Sequence, residues 1–444
     1  MDFPAGNPDP ASVGSTLASL PAVKYYQRRM LPSSAKIMRT VLKLSILATA
    51  LVLSAGAAHT LAQGFTSIRA DVSVRVSLGA NQRKELSFEA AADQFCEIST
   101  DAKDDMPLQM SVIDPTGETL IKEADAAEGA VFIAPASGKY RLILKMNVAD
   151  AEMAKTFGEK QVTVSYTNKL DLPKDAETKS VKVINGYQAK IVNEPGDNGK
   201  TYFLVQKGGK TKAIMRAEKE IGGGYYFSDD PTQEDGTNAK QSAALMHSTA
   251  DKTGDGTNDV AVEYYTGGAH CCFEITFFEL GDRVRQLPTI STDNDRMTAI
   301  GKKPGGGLRF AFAEQAFAYW NINFAQSPMP IVIYEFDKSD NLIPRFDLMQ
   351  KPAPSLAILK RKAAAAKAKI NLKPYVSPDD NFNDWEDSFW GDILDLIFTG
   401  HEDLAWQYFD MVWPAKKKGK EKFLADFKEQ LAHTIYGDWK KQGH

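Results

Sequence analysis

The sequence predicts a multi-domain, mainly β protein: a β-sandwich or jelly roll, then a second antiparallel β domain, then a C-terminal α-helical region. Three observations predict it. From residue 66 to 346, short runs of alternating apolar and polar residues are separated by Gly, Pro and Asp turn signals. At residue 347 the composition shifts to Pro, then to Ala and Lys. From residue 385 the apolar residues recur at helical spacing. A length of 444 residues leaves room for roughly two to four domains. With 43% hydrophobic and 25% charged residues the composition is that of a soluble globular chain. A formal net charge of -4 supplies no basic field, so nucleic acid is not an expected partner. Three cysteines are too few for a disulfide scaffold.

Residues 1–37 are rich in Pro, Ser and Ala without periodicity and are set aside as disordered or as a mis-assigned start, with Met30 and Met38 as alternative starts. Residues 38–62 carry a secretory signal pattern. Arg39 and Lys43 precede the apolar run Leu44–Ala58, and Thr60-Leu61-Ala62 ends on a small residue, with Ala55 to Ala58 as a second cleavage choice. The run is short for a membrane span. No cysteine follows to take a lipid, so the mature chain is expected to begin near Gln63, outside the cytoplasm, with no stable membrane span.

Residues 66–168 read as a β-sandwich. Val72, Val74, Val76 and Leu78 alternate with polar residues, as do Leu86, Phe88 and Ala90. Asp114-Pro115-Thr116-Gly117 and Ala134-Pro135-Ala136-Ser137-Gly138 are turns, and Tyr140–Leu144 and Gln161–Tyr166 are strands. Residues 169–200 read as a connector carrying strands at Ser180–Ile184 and Gln188–Val192. Residues 201–346 form the second β domain, with strands at Tyr202–Gln206, Ala213–Arg216, Val260–Tyr265, Phe273–Glu279, Leu308–Ala313 and Ile331–Phe336. Val260–Leu280 and Leu308–Phe336 repeat a strand, loop, strand pattern. Residues 347–384 are a linker and a helix, Leu356–Ile370. Residues 385–444 are predicted as three helices separated by Gly400 and Pro414, whose Trp385, Phe389, Tyr408, Phe423 and Phe427 form an aromatic core stripe.

Leu86–Ala90, Ser111–Gly117 and Phe132–Tyr140 carry a resemblance: residues 66–168 resemble the bacterial pre-peptidase C-terminal domain family. The resemblance covers about a quarter of the chain and implies a β-sandwich accessory module with no catalytic residues to carry over.

The sharpest motif is Asp251-Lys252-Thr253-Gly254-Asp255-Gly256-Thr257-Asn258-Asp259. Asp251, Asp255 and Asp259 stand at positions 1, 5 and 9 of a calcium-type loop, Gly256 at the sharp turn, and Thr257 offers its carbonyl at position 7. Thr253 replaces the usual Asp or Asn at position 3, and Val262 stands where an EF-hand has its Glu. The loop leads into a strand, which makes it similar to FG-GAP calcium loops. Ca2+ held by Asp251, Thr253, Asp255, Thr257 and Asp259 is therefore the expected cofactor; the alternative is a metal-free turn. Gly267-Gly268-Ala269-His270-Cys271-Cys272 follows. The pairing of such a loop with this segment resembles a group of exported bacterial proteins and implies no activity. For His270, Cys271 and Cys272 the readings are a vicinal disulfide, a disulfide of one of them with Cys96, a soft-metal site, a thiol nucleophile, or packing of small residues. No Walker loop, dinucleotide fingerprint, Gly-x-Ser-x-Gly elbow or HExxH motif occurs.

These features favour a periplasmic or secreted binding or structural protein over an enzyme, with a protein or polysaccharide of the cell envelope as partner. The alternative is an envelope hydrolase with an accessory sandwich. It would gather titratable groups in a cleft near His270, with Asp255, Glu263 and Glu274 among them.

Overall fold

Period-two alternation decides the first half of the molecule. The computed structural model describes residues 66–103, 106–127, 129–148, 158–196, 199–218, 223–230, 237–268, 271–382 and 384–443. The signal pattern and the segment before it lie outside these residues. The protein is mainly β with helices gathered toward its C-terminus. The first strands are β1 (Thr66–Ser67), β2 (Val74–Leu78), β3 (Arg83–Ala90), β4 (Phe95–Thr100), β5 (Leu108–Ile113), β6 (Thr119–Asp125), β7 (Ala130–Ile133), β8 (Gly138–Met146) and β9 (Lys160–Thr167). They pair as β1-β3-β8-β5-β6 and β2-β9-β4-β7, a sandwich. Leu108, Met110 and Val112 of β5, Tyr140, Leu142 and Leu144 of β8, and Val162, Val164 and Tyr166 of β9 point inward into one apolar core. Val72 precedes β2 and is exposed, so the alternation starts two residues later than the sequence suggests. The β5–β6 turn is built by Asp114, whose Oδ1 accepts from the Thr116 and Glu118 amides, with Gly117 at φ 94.

The next sheet runs β10 (Glu177–Ile184), β11 (Tyr187–Asn193), β12 (Lys200–Lys207), β13 (Lys210–Glu218), each antiparallel to the next. Both its faces are covered. Val192, Tyr202, Leu204 and Ile214 meet Phe95 of the sandwich, while Ala189, Phe203 and Val205 meet Phe227, Val260 and Phe278. That is why Thr201–Val205 reads as a continuous buried run.

The third sheet holds β14 (Gly224–Phe227), β15 (Asp259–Gly268), β16 (Cys271–Leu280) and β17 (Val284–Gln286), with β18 (Ile290–Asp293) also on β16. Helix α1 (Thr237–Ser248), which the sequence reading did not foresee, lies before β15 and packs on β19 (Thr298–Lys302). Its amphipathic signal is weak: only Ala243 and Met246 of its apolar residues are fully buried. The fourth-region sheet is β19, β20 (Leu308–Ala313), β21 (Ile331–Phe336), β22 (Leu342–Pro344) in that order. Both strand, loop, strand repeats are thus antiparallel hairpins.

The C-terminal region holds α2 (Leu356–Lys369), α3 (Trp390–Phe398), α4 (Glu402–Val412), α5 (Lys420–Leu431) and α6 (Ile435–Lys441). Four helices follow residue 385 where three were expected, because Thr434 caps a separate last one by accepting from the Gly437 amide. Trp385 and Phe389 precede α3 and are core residues, not helix-face residues. Phe423, fully buried, meets Trp320, Trp385, Phe389 and Trp413. The aromatic stripe is therefore packing, joined to the β19–β22 sheet through Phe310, Phe317 and Trp320.

Candidate functional site

The Asp-rich loop is a turn that satisfies most of its own polar groups. Asp251 Oδ1 and Oδ2 accept from the Gly254 and Gly256 amides at 2.6 and 2.9 Å. Asp255 Oδ1 accepts from the Thr257 amide at 2.7 Å. Asp259 Oδ2 accepts from the Lys252 and Thr253 amides at 2.6 and 2.9 Å. Gly254 and Gly256 sit at φ 93 and 94, which explains the residue type at both. A Cβ on Gly307 would lie 2.8 Å from the Gly254 amide nitrogen, so the Gly305-Gly306-Gly307 segment allows two backbones to touch.

The residues divide on whether they fit a calcium ion. Asp259 is fully buried and its Oδ1 has no hydrogen-bond partner, as an oxygen meant for a cation would be. Yet Asp251, Asp255 and Asp259 do not converge. Among the described residues the one cluster whose carboxylate oxygens lie within 4.8 Å of one another is Asp255, Glu279 and Asp340. Arg285 fills that cluster: its Nε donates to Glu279 Oε2 at 2.6 Å, Nη1 to Asp340 at 2.7 Å, and Nη2 is 3.8 Å from Asp255. Burial pushes Glu279 up to about 7. Two ammonium groups also hold the loop. Lys303 donates to the Thr253 carbonyl at 3.2 Å and Lys252 to the Asp259 carbonyl at 2.8 Å. The spacing and one oxygen suit the metal; the neighbouring cations do not.

Behind the loop lies a cavity of about 390 Å³. Its wall is mostly apolar, with Val183, Ile184, Met246 and Val260, and its ionisable groups are Lys182, Asp229, His247, Lys252 and Asp259. Lys182 pairs with Asp229 Oδ1 and stands 4.6 Å from the Phe227 ring centroid. His247 Nδ1 lies 3.2 Å from Asp229 Oδ2. Lys252, only 7% exposed, donates to the Thr249 and Asp259 carbonyls at 3.0 and 2.8 Å. Burial, then the Lys252 ammonium, pushes Lys182 down to about 8, against the pull of the Asp230 carboxylate. Burial also lowers Lys252 and pushes Asp259 up to about 6. Perturbed groups gathered on one cavity mark this as the candidate site.

Of these groups only Asp259 stands out in the sequence; Lys182, Asp229, Lys252 and His247 do not. One signal was available. In Ser180-Val181-Lys182-Val183-Ile184, Val181 and Val183 are 48% and 70% exposed while Lys182 faces the β domain: the usual alternation is inverted. A lysine on the inward face of a strand is a charge that needs a reason.

The second motif is remote from the first. Asp259 and Gly268 are the two ends of ten-residue β15, roughly 30 Å of strand apart. Gly268 and Cys271 are register partners on the β15–β16 ladder, and His270 lies outside the described residues. Cys272 is disulfide-bonded. Cys96 is a free, buried thiol, so the staple between Cys96 and this segment is not formed. The physical reason is orientation: Cys96 points into the sandwich core, its Sγ 3.7 Å from Tyr166 Oη, and burial pushes its thiol up to about 11. Of the other candidates for that cleft, Glu274 is the register partner of Tyr264 on the β15–β16 ladder. Asp255 meets Arg285, and Glu263, 3% exposed, pairs with Arg296 at 2.6 Å.

No family model matches the sequence, and no curated protein matches it either. Among solved structures the chain is similar to PliG of Salmonella Typhimurium, a periplasmic inhibitor of g-type lysozyme, at 18% identity over 23% of this chain and 99% of that one, TM-score 0.18. It is also similar to the pre-peptidase C-terminal domain of a Bacillus anthracis collagenase, at 16% identity over 23% of this chain and 93% of that one, TM-score 0.19. A third is the accessory secretory protein 1, 2 and 3 structure of Streptococcus pneumoniae, at 18% identity over 26% and 93%, TM-score 0.16. At these scores the likeness carries no argument about activity. Among the described residues no helix is long and apolar enough to cross a membrane.

Proposed function

We propose that this is an exported binding protein of the bacterial envelope, with its ligand seated in the cavity beside the Asp-rich loop. The observation that carries this reading is the gathering of Lys182, Asp229, His247, Lys252 and Asp259 on one largely apolar cavity of about 390 Å³. Buried charge costs folding free energy unless it is paired, and perturbed ionisable groups gathered on a cavity are concentrated at functional sites. Export rests on the Arg39–Ala62 pattern. Native mass spectrometry of protein recovered from the producing cell's envelope fraction tests both parts. The reading expects a chain beginning near Gln63 and a bound small molecule that Lys182→Met releases. A chain retaining residues 38–62, or an empty cavity in every preparation, counts against it.

Calcium at Asp251, Thr253, Asp255, Thr257 and Asp259 belongs to the same proposal. The spacing and the unpartnered Asp259 Oδ1 support it, and the Lys252 and Lys303 ammonium groups weigh against it. A hydrolase is the second reading. What favours it is the His247–Asp229 contact at 3.2 Å, the arrangement that orients an imidazole base.

A further inference from the structure

We infer that the cavity takes a neutral polyhydroxylated ligand, a single sugar ring or a polyol of that size. This rests on the binding reading above and names the ligand class. The first argument is charge balance. Lys182 and Lys252 are offset by Asp229 and Asp259 on the same wall. An anion would meet both carboxylates and a cation both ammonium groups, and like charges brought together at short range cost binding free energy.

The second argument is unused hydrogen-bonding capacity. The Lys252 ammonium has three donors, and the Thr249 and Asp259 carbonyls take two of them. Asp229 engages Lys182 with one oxygen and His247 with the other, which leaves further lone pairs on each. Donors and acceptors on one wall suit a group that both gives and accepts, and the hydroxyl is the smallest such group. The third argument is the remaining surface. Ile184, Met246 and Val260 offer an apolar strip that the C–H face of a ring can cover. At about 390 Å³ the cavity lies near the low end of small-molecule sites, so the ligand is small.

Calorimetric titration of the mature chain tests the ligand class. The probes are D-glucose, D-galactose and N-acetyl-D-glucosamine, with acetate and ethylammonium as charged counterparts. Saturable binding of at least one neutral sugar is expected. Lys182→Met should weaken it about tenfold, the loss of one charge-assisted hydrogen bond. Ala250→Trp should abolish it by filling the mouth. Ala250 lines the cavity and is exposed, so this second variant keeps the fold intact, which its melting curve will verify. Sugar binding that survives both substitutions overturns the assignment to this cavity. Binding of a charged probe alone overturns the ligand class and leaves the binding reading standing. Binding of no probe also overturns the ligand class, and the mass-spectrometric experiment then decides the broader reading by itself.

Discussion

The sandwich and the β domain that follows it bury very different things. Among the described residues of 66–167 the core is Leu, Val, Ile, Phe, Met, Tyr, Ala and Cys96, and the one buried charged residue, Asp114, is held by turn hydrogen bonds. Between residues 224 and 346 the buried set includes Lys252, Asp259, Glu263, Glu279 and Glu335. The sandwich core is almost wholly apolar. The second domain carries desolvated charge whose net contribution to stability is small or negative. On the proposed reading, that contrast separates a supporting module from the one that holds the ligand.

The contrast can be broken from the sandwich side first. Phe88 is fully buried and packs on Tyr140 and Tyr166 at centroid distances of 5.3 and 4.7 Å. Phe88→Ala should cost about 3–5 kcal/mol in urea unfolding, with ligand binding by the still-folded fraction unchanged. Loss of binding at full folding would show that the two regions are not functionally separate. In the second domain, Glu263→Ala removes the buried carboxylate that pairs with Arg296 and should cost about 3 kcal/mol, read by the same urea titration. A cost under about 1 kcal/mol would place that pair with ordinary surface ion pairs.

If the loop holds calcium, a hundredfold excess of the ion over its dissociation constant adds about 2.7 kcal/mol, which a chelator removes. Asp255→Ala should abolish the chelator effect on the melting temperature. Identical melting curves with and without chelator would leave a metal-free turn. The smallest effect is a pH dependence. Lys182 sits near 8 in the folded protein, against an ordinary value of 10.5. Between these values the unfolded chain binds more protons than the folded one, so stability rises with pH across that window. The rise should be of order 1 kcal/mol after discounting for partial exposure and the Asp229 contact. Lys182→Met should flatten it, and an unchanged slope would sink the assignment.

The sandwich was legible in the sequence because β2, β5, β8 and β9 carry the period-two pattern and its turns carry Asp, Pro and Gly, whereas β4 (Phe95–Thr100), whose burial does not alternate, was not foreseen. The Asp251–Asp259 loop was legible as a turn leading into a strand, since its glycines and carboxylates act locally. The cavity was not. Lys182, Asp229, His247 and Lys252 come from β10, the segment after β14, the end of α1 and the loop, and only tertiary packing unites them. Helix α1 was missed because its apolar spacing is faint. The loop and the cysteine segment stand at opposite ends of β15, as the strand expected between them requires.

The claim that the buried charges serve binding is tested most directly by the unfolding free energy of the double variant Lys182→Met, Asp229→Leu. Replacing a paired charge with apolar side chains of similar size is often neutral or stabilising by about 1–4 kcal/mol. If Lys182 and Asp229 are kept for a ligand, the double variant will be at least as stable as the wild type in urea. A loss of about 3 kcal/mol or more would show that the pair is held for the fold itself, and the cavity would lose its claim to be the working site.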